Sequence, residues 1–166
     1  DNVAAALFGG AVLSWAGDDF VDAIKLEVSP RITAVAFIPS INVPTSKARK
    51  MLPETIPHKD AVKNSINTAL LTQALTNRPD LLLAATEDYL HQSYREAAMP
   101  KSYALMQKLR AAGVAAFISG AGPTVLALLV DADLNHELGD LVRAAGSGFE
   151  VENLDISSVG YQVSNI

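Results

Sequence analysis

The chain has 166 residues, of which 49% are hydrophobic and 19% are charged, and its formal net charge is −5. This length and apolar content suit one compact domain with a real core and exclude a disordered, solvating tail. The acidic balance disfavours a broad nucleic-acid surface, although a local basic cluster exists at Lys47, Arg49 and Lys50. The absence of cysteine excludes a disulfide framework and a thiolate metal site, and it fits a reducing cytoplasm.

The sequence shows neither a membrane-spanning segment nor a signal peptide. The longest apolar runs, such as 125–130, are far too short to span a membrane. The start, Asp1-Asn2-Val3, has neither an initiator Met nor the basic region of a signal peptide. We therefore expect a protein without a membrane span, and a chain that begins in mid-sequence.

The first forty residues predict one helix and three strands. A short helix over 2–7 is ended by Gly9-Gly10, and residues 11–15 form a short apolar strand. Polar and apolar residues alternate over 23–28, which predicts a half-buried strand. Residues 32–38 are almost entirely apolar, which is typical of a central strand.

The middle of the chain predicts four helices, because prolines at helix starts and apolar residues at helical spacing recur through it. Gly113 stands where a cap at a helix C-terminus is expected. The predicted helices run from Pro44 to Pro53, over 58–76, over 79–90 and from Pro100 to Ala112.

The last fifty residues return to strands. Residues 114–119 and 124–130 are strands that flank a glycine-rich turn, and residues 135–145 form an amphipathic helix. The final strand or strands draw on Phe149, Val151, Leu154, Ile156 and Val163. The order from residue 32 is strand, helices, strand, strand, helix, strand. It predicts an α+β, ferredoxin-like split β-α-β domain with extra helices in its first crossover.

The glycine-rich turn is the most informative segment. It reads Ser119-Gly120-Ala121-Gly122-Pro123-Thr124 and joins two apolar strands. An ordinary hairpin would need one or two residues with positive φ, so the turn could be purely structural. Alternatively, glycines let the backbone approach a ligand, and exposed N–H groups there could face an anion. Both interpretations stay open on the pattern alone.

The basic segment after Pro44 is a candidate carboxylate site. Thr45 and Arg49 are four residues apart and share one face of a helix, and Arg binds carboxylates in a two-pronged fashion. The alternative is a capped, solvated surface helix.

Other polar residues are weaker candidates. Arg95 reads as an ordinary charged residue at a helix end, and Asn2 reads as a helix cap or a polar ligand. The histidines lack metal-type spacing and are expected on solvated faces, so no metal site is predicted. They are His58, His91 and His136.

Two segments carry a family resemblance. Ser-Gly-Ala-Gly-Pro-Thr over 119–124 resembles the third motif of the GHMP kinase superfamily, in the form typical of homoserine kinases. The opening Asp-Asn-Val-Ala-Ala-Ala-Leu-Phe-Gly-Gly over 1–10 resembles the homoserine kinase stretch His-Pro-Asp-Asn-Val-Ala-Pro-Ala-Leu-Leu-Gly-Gly, with Ala5 in place of the family Pro. The two segments have the expected separation, so the resemblance covers essentially the whole chain.

The resemblance implies roles for particular residues. A similar family stretch, Thr-x-x-x-Arg-x-x-Leu-Pro, implies that Arg49 binds an amino-acid carboxylate and that Thr45 lines the same site. Tyr94-Arg95 resembles the segment that supplies a second substrate-binding arginine. Asp1 and Asn2 are implied to lie beside the substrate and the transferred phosphate. The implied neighbours of the nucleotide's phosphate loop are Ser119, Gly120, Ala121, Gly122 and Thr124.

The resemblance also implies a reaction, in which a phosphoryl group passes from ATP, with Mg²⁺, to the side-chain hydroxyl of L-homoserine during threonine biosynthesis in the cytoplasm. The family's phosphate-loop motif, Pro-x-x-x-Gly-Leu-Gly-Ser-Ser, does not occur in these residues. We therefore expect residues 1–30 to be the end of an N-terminal kinase domain, residues 31–166 to be the C-terminal domain, and the chain alone to be inactive. No general base is assigned, and a homodimer is possible.

Two alternatives remain. Another GHMP enzyme, such as a mevalonate-type or cytidyl-methylerythritol kinase, is disfavoured by Thr45, Arg49 and Arg95, because a carboxylate clamp suits an amino acid. A non-catalytic ferredoxin-like module that binds amino acids is kept open by the missing phosphate-loop motif. Neither a nucleic acid nor a membrane is an expected partner.

Overall fold

The computed structural model of the chain describes residues 2–132 and 134–163. Its helices are α1 (Asn2–Phe8), α2 (Thr45–Lys50), α3 (His58–Thr76), α4 (Leu82–Ala85), α5 (Pro100–Ala111) and α6 (Leu134–Ala145). Its strands are β1 (Ala11–Ala16), β2 (Val21–Leu26), β3 (Ile32–Pro39), β4 (Ala115–Ile118), β5 (Val125–Val130) and β6 (Phe149–Leu154). Short 3₁₀ segments occur at Pro79–Leu81, Ser93–Ala98 and Gly146–Gly148. Over the described residues, no helix is long and apolar enough to cross a bilayer.

The larger sheet has the strand order β4-β5-β3-β6, and every neighbouring pair is antiparallel. Strands β3 and β4 both run antiparallel to β5, so they are parallel to each other and need a crossover. Helices α2 to α5 form that crossover, and α6 connects β5 to β6. The predicted α+β class and the split β-α-β with an enlarged first crossover are confirmed.

Helices cover both faces of this sheet. Successive side chains of β3 point alternately to the two faces, and nearly all of them are apolar, so both faces must be covered. Val35 and Phe37 point to a core cluster that includes residues of α5, such as Met106 and Leu109. Ile32 and Ala34 point to the opposite face, where the second cluster includes Ala74 of α3 and Leu82 and Ala85 of α4. The near-continuous apolar sequence of β3 follows from this two-sided burial.

Strands β1 and β2 form a separate antiparallel hairpin sheet beside α1. Lys25 Nζ donates to the carbonyls of Phe8 (3.0 Å) and Ser158 (2.5 Å), and the Tyr161 amide donates to the Ala6 carbonyl (3.0 Å). The C-terminal segment is therefore attached to α1 by backbone contacts. No strand occurs over the described residues 155–163, so the predicted strand contributions of Ile156 and Val163 are wrong.

The single helix predicted over 79–90 is also wrong, because α4 ends at Ala85. Thr86 donates from Oγ1 to the carbonyl of residue 82 at 2.8 Å. The Asp88 carboxylate then accepts bonds from the backbone N–H groups of residues 90–92, at 3.1, 2.9 and 2.6 Å. These local side-chain bonds compete with helix continuation and start a new turn instead.

Candidate active site

A cleft of about 690 Å³ lies where α1, α2, α3, the loop after α4 and the glycine-rich turn meet. Most of the predicted site residues line it, although they come from four separate parts of the chain. They are Asn2, Thr45, Arg49, Arg95, Ser119, Gly120, Ala121 and Gly122. Asp1 lies outside the described residues. Thr124 does not line the cleft, and its backbone carbonyl instead accepts a hydrogen bond from the Ser119 amide at 2.9 Å.

Helix α2 presents two of these residues to the cleft. Pro44 precedes it in an extended conformation, with φ −57° and ψ 133°, and fully buried Ala48 anchors the helix to the core. Thr45 and Arg49 are exposed and line the cleft together, as their spacing of four residues requires. Among the described residues, no carboxylate lies within salt-bridge distance of Arg49, so its charge is available to a ligand.

Arg95 lies in the 3₁₀ segment Ser93–Ala98, and only 8% of its surface is exposed. Arg95 lies in the last turn of this segment, as the pattern of a charged residue at a helix end predicted, but the pattern did not indicate its burial. Its Nη1 donates to the Gly120 carbonyl at 2.9 Å, and its Nε is buried without a hydrogen-bond partner. No described carboxylate pairs with it. A buried guanidinium without a counter-charge is costly, which favours an anionic ligand beside it.

The glycine-rich turn both connects β4 to β5 and borders the cleft, so the two interpretations of its sequence are compatible. Gly120 and Gly122 have φ values of +56° and +84°, and the Gly122–Pro123 peptide is cis. The Gly122 amide donates to the Ser119 carbonyl at 2.9 Å. The positive φ of Gly122 favours glycine, and a Cβ there would lie 2.5 Å from Sδ of fully buried Met99, so a larger residue would have to displace the Met99 side chain.

Several cleft residues were not singled out by the sequence. Asn64 and Asn67 of α3 stabilise the loop after α4: Asn64 Oδ1 accepts from the Tyr89 amide (3.1 Å), and Asn67 Nδ2 donates to the Glu87 carbonyl (3.0 Å). Their spacing of three residues on one helix face was the available signal. His91 also borders the cleft, and 45% of its side-chain surface is exposed, which agrees with the solvated face predicted for it.

The acidic residues that line the cleft already have partners. The Glu87 carboxylate accepts a bond from the Tyr89 hydroxyl (2.8 Å) and lies 3.7 Å from the Arg110 guanidinium. Asp88 binds three backbone amides, and its carboxylate lies 3.0 Å from Nδ1 of His91. Partial burial would raise the pKa of Asp88, but bonds from the amides of residues 92 and 90 and from His91 outweigh it, so the pKa is lowered.

The cleft therefore has a definite electrostatic character. Its carboxylates have partners within the chain, whereas Arg49 and Arg95 lack acidic partners among the described residues. Two guanidinium groups from separate elements, facing one cleft, can hold a carboxylate or a phosphate. A second cavity of about 670 Å³, between α1 and residues 155–161, is lined by none of the predicted site residues that the structure describes.

Comparison with known proteins identifies related sequences. The family described as GHMP kinases C terminal matches residues 67–148. A homoserine kinase of Streptomyces avermitilis is 48% identical over 98% of this chain, and one of Rhodococcus erythropolis is 47% identical over 99% of it. These alignments cover 52% and 53% of the two relatives, so the chain spans about half the length of the curated relatives that it matches.

A solved structure has the same fold. The crystal structure of a homoserine kinase from Cytophaga hutchinsonii superposes with a TM-score of 0.84 at 27% identity, covering 95% of this chain and 52% of that protein. The predicted resemblance to a C-terminal portion of the GHMP kinases is confirmed by the family match and by these relatives.

Proposed function

This chain carries the C-terminal domain of a GHMP kinase, and from that premise we propose that it is the substrate-binding half of a homoserine kinase. The reaction transfers the γ-phosphoryl group of ATP to the side-chain hydroxyl of L-homoserine and gives O-phospho-L-homoserine, a step of threonine biosynthesis in the cytoplasm. The observation that carries the proposal is the meeting of Arg49 and Arg95 in one cleft without acidic partners among the described residues.

The two arginines form a clamp for the amino-acid carboxylate. Arg49 reaches the cleft from α2 and is exposed, whereas Arg95 is buried and fixed to the glycine-rich turn. Thr45 and Asn2 line the same cleft and contact the rest of the substrate, and Asp1 joins them by resemblance. Holding the carboxylate at a fixed point orients the hydroxyl for transfer, which is the main protein contribution in phosphoryl transfer.

The residues present fit only the edge of a nucleotide site. Bound ATP and Mg²⁺ supply the phosphoryl group and neutralise its charge. Ser119, Gly120, Ala121 and Gly122 border the cleft and lie next to the phosphates, while Thr124 holds the turn closed through its carbonyl. No group of three or more histidine or acidic side chains suited to a metal occurs over the described residues, and we assign no Mg²⁺ ligand to this chain.

The exposed apolar surface near the N-terminus supports a domain boundary at residue 30. Residues 1–30 complete an N-terminal kinase domain, and residues 31–166 form the C-terminal domain. Large hydrophobic side chains on α1 and the β1–β2 hairpin are unusually exposed for an isolated domain, which favours a further domain packed against them. They include Val3 (70% exposed), Leu7 (54%), Trp15 (43%) and Ile24 (51%). A homodimer stays a prediction, which sedimentation of the full-length enzyme would test.

The test is ADP release by the full-length protein with ATP and Mg²⁺, offered L-homoserine, L-threonine, L-serine or mevalonate in turn. We expect release that depends selectively on L-homoserine. Selective release with mevalonate would keep the kinase family and reject the amino-acid substrate. No release with any of them would favour a module that binds amino acids without catalysis. The 166 residues alone are expected to release no ADP.

A further inference from the structure

The free edge of β4 is covered by side chains instead of a neighbouring strand. Among the described residues, strand β4 ends the sheet and pairs only with β5. Backbone groups of alternate residues point to the same edge of a strand. On this edge the Ala116 carbonyl accepts from Arg110 Nη1 (3.0 Å), and the Ile118 amide donates to Gln92 Oε1 (2.6 Å). Two residues further on, Arg95 Nη1 binds the Gly120 carbonyl (2.9 Å).

Gln92 occupies a special place in this row. Its residue is 9% exposed, its own backbone amide is capped by Asp88 at 2.6 Å, and it lies three residues before Arg95. The residue that it binds, Ile118, is the last of β4 before the glycine-rich turn. Gln92 and Arg95 together therefore attach one short segment to the last residue of β4 and to Gly120 within the turn.

The Arg110 contact differs from the other two. Arg110 also donates to the Thr86 hydroxyl (2.9 Å) and to the Leu83 carbonyl (2.6 Å), so it connects the middle of β4 to the end of α4. Its bonds lie away from the glycine-rich turn. Protection of a sheet edge explains Arg110 fully, but it does not explain why the contacts nearest the turn come from the segment that carries Arg95.

We propose that Gln92 is a positioning residue that holds the glycine-rich turn in register with Arg95, and so couples amino-acid binding to nucleotide binding. The inference rests on the proposed function of the cleft. A carboxylate bound at Arg95 immobilises the segment that contains Arg95 and Gln92. Because Gln92 binds Ile118, the glycine-rich turn that follows Ile118 and borders the nucleotide also becomes less mobile. Coupling between two binding sites is reciprocal, so nucleotide must tighten amino-acid binding by the same factor.

Loss of the Gln92 side-chain acceptor should weaken this coupling. The Ile118 amide would then be left without its partner at a buried position, and the turn could relax without unfolding the sheet. A glutamate at residue 92 keeps an acceptor oxygen at the same distance from the backbone. A methionine keeps the length and removes the acceptor. Gln107, exposed on α5 and absent from the cleft lining, provides a matched control for substitution by methionine.

The experiment uses the full-length enzyme and calorimetric binding of L-homoserine, with and without a non-hydrolysable ATP analogue and Mg²⁺. In the wild type the analogue should tighten L-homoserine binding by about 5-fold or more, within the usual range of such couplings. Gln92→Met should reduce that factor to about 1, whereas Gln92→Glu and Gln107→Met should retain it to within about twofold. Retained coupling in Gln92→Met, or equal loss in Gln107→Met, would overturn the proposal.

A measurement on the wild type covers the case in which Gln92→Met does not fold. L-Homoserine alone should slow hydrogen exchange of the Ser119 and Gly122 amides, which close the glycine-rich turn, by about tenfold. Unchanged exchange in the presence of bound L-homoserine overturns the coupling and leaves the proposed function intact. Failure of the wild type to bind L-homoserine at all rejects both.

Discussion

Arg95 donates a hydrogen bond from Nη1 to the carbonyl oxygen of Gly120 at 2.9 Å. This bond joins a candidate substrate-binding residue directly to the glycine-rich turn. Arg49, which lines the same cleft, is exposed and makes no comparable bond to the turn among the described residues. The two arginines therefore have unequal roles in the proposed clamp. In that proposal Arg49 supplies charge, whereas Arg95 supplies charge and also fixes the backbone of the glycine-rich turn.

Replacement of Arg49 should weaken the binding of the amino-acid substrate and not the binding of ATP. Loss of a charge-assisted hydrogen bond costs about 1.5–3 kcal/mol, so Arg49→Ala should raise the homoserine KM of the full-length enzyme by about 10- to 100-fold. The KM for ATP should change little. Steady-state kinetics check both, with Lys50→Ala as the control, because Lys50 is exposed on the same helix and does not line the cleft. An unchanged homoserine KM in Arg49→Ala would remove Arg49 from the site.

Replacement of Arg95 should affect both substrates. Arg95→Ala removes the clamp charge and the Gly120 bond together, so the KM values for homoserine and ATP should both rise, each by about tenfold or more. Arg95→Lys restores the charge without the planar fork, so it should recover only part of either loss. The same kinetic assay measures these values. An ATP KM that is unaffected in Arg95→Ala would contradict the double role of Arg95.

Substitution of Gly122 should destabilise the protein more than substitution of Gly113, although the two glycines have similar φ angles. Gly122 and Gly113 have φ values of +84° and +87°, but a Cβ at Gly113 meets nothing within 4 Å, whereas one at Gly122 meets buried Met99. Gly113→Ala should lower the free energy of unfolding by about 1–2 kcal/mol through backbone conformation alone. Gly122→Ala should lose about 1–3 kcal/mol more through overpacking. Urea unfolding of both variants makes the comparison, and equal losses would reject the Met99 contact as the cause.

The acid stability of the protein should depend on Asp88. Its pKa is lowered in the folded state, despite partial burial, by bonds from backbone amides and His91. A carboxyl group with a lowered folded pKa stabilises the fold above its unfolded pKa of about 3.9, and this contribution is lost as the pH falls through the folded pKa. Asp88→Asn should therefore destabilise the protein at pH 7, and the difference from wild type should shrink below about pH 4.

Urea unfolding at neutral and acid pH checks this expectation, with Asp19→Asn as the control, since Asp19 is exposed in the turn between β1 and β2. A difference between Asp88→Asn and wild type that stays constant down to acid pH would show that the Asp88 charge does not contribute to folding.

Much of the fold could be predicted because it depends on local patterns. The bounds of α3 agree with the predicted 58–76, and the apolar run of β3 indicated its central place correctly. Alternation located β2 less well, since the strand over Val21–Leu26 begins and ends two residues before the prediction. The end of α4 at Ala85 was missed because the hydrogen bonds of Asp88 outweighed the apolar spacing further along.

The site could be predicted only in part. Helical spacing is enough to put Thr45 and Arg49 on one face, and both line the cleft. The burial of Arg95 and the role of Gln92 depend on contacts with β4 and the turn, more than twenty residues away in the sequence. No local pattern contains such contacts, so the pattern alone indicated only an ordinary charged residue at a helix end. Family resemblance, and not periodicity, singled out Arg95.

The most direct test of the central claim compares L-homoserine with 3-aminopropan-1-ol, which keeps the hydroxyl and amino groups and lacks the carboxylate. Phosphorylation of each by the full-length wild type and by Arg49→Ala gives a cycle of four kcat/KM values. The kcat/KM of the wild type should be at least about 10-fold higher for L-homoserine than for 3-aminopropan-1-ol. Arg49→Ala should lose most of that preference, because the substitution lowers kcat/KM for L-homoserine and leaves kcat/KM for 3-aminopropan-1-ol unchanged. Equal losses for both substrates, or a wild type indifferent to the carboxylate, would contradict an arginine clamp in this cleft.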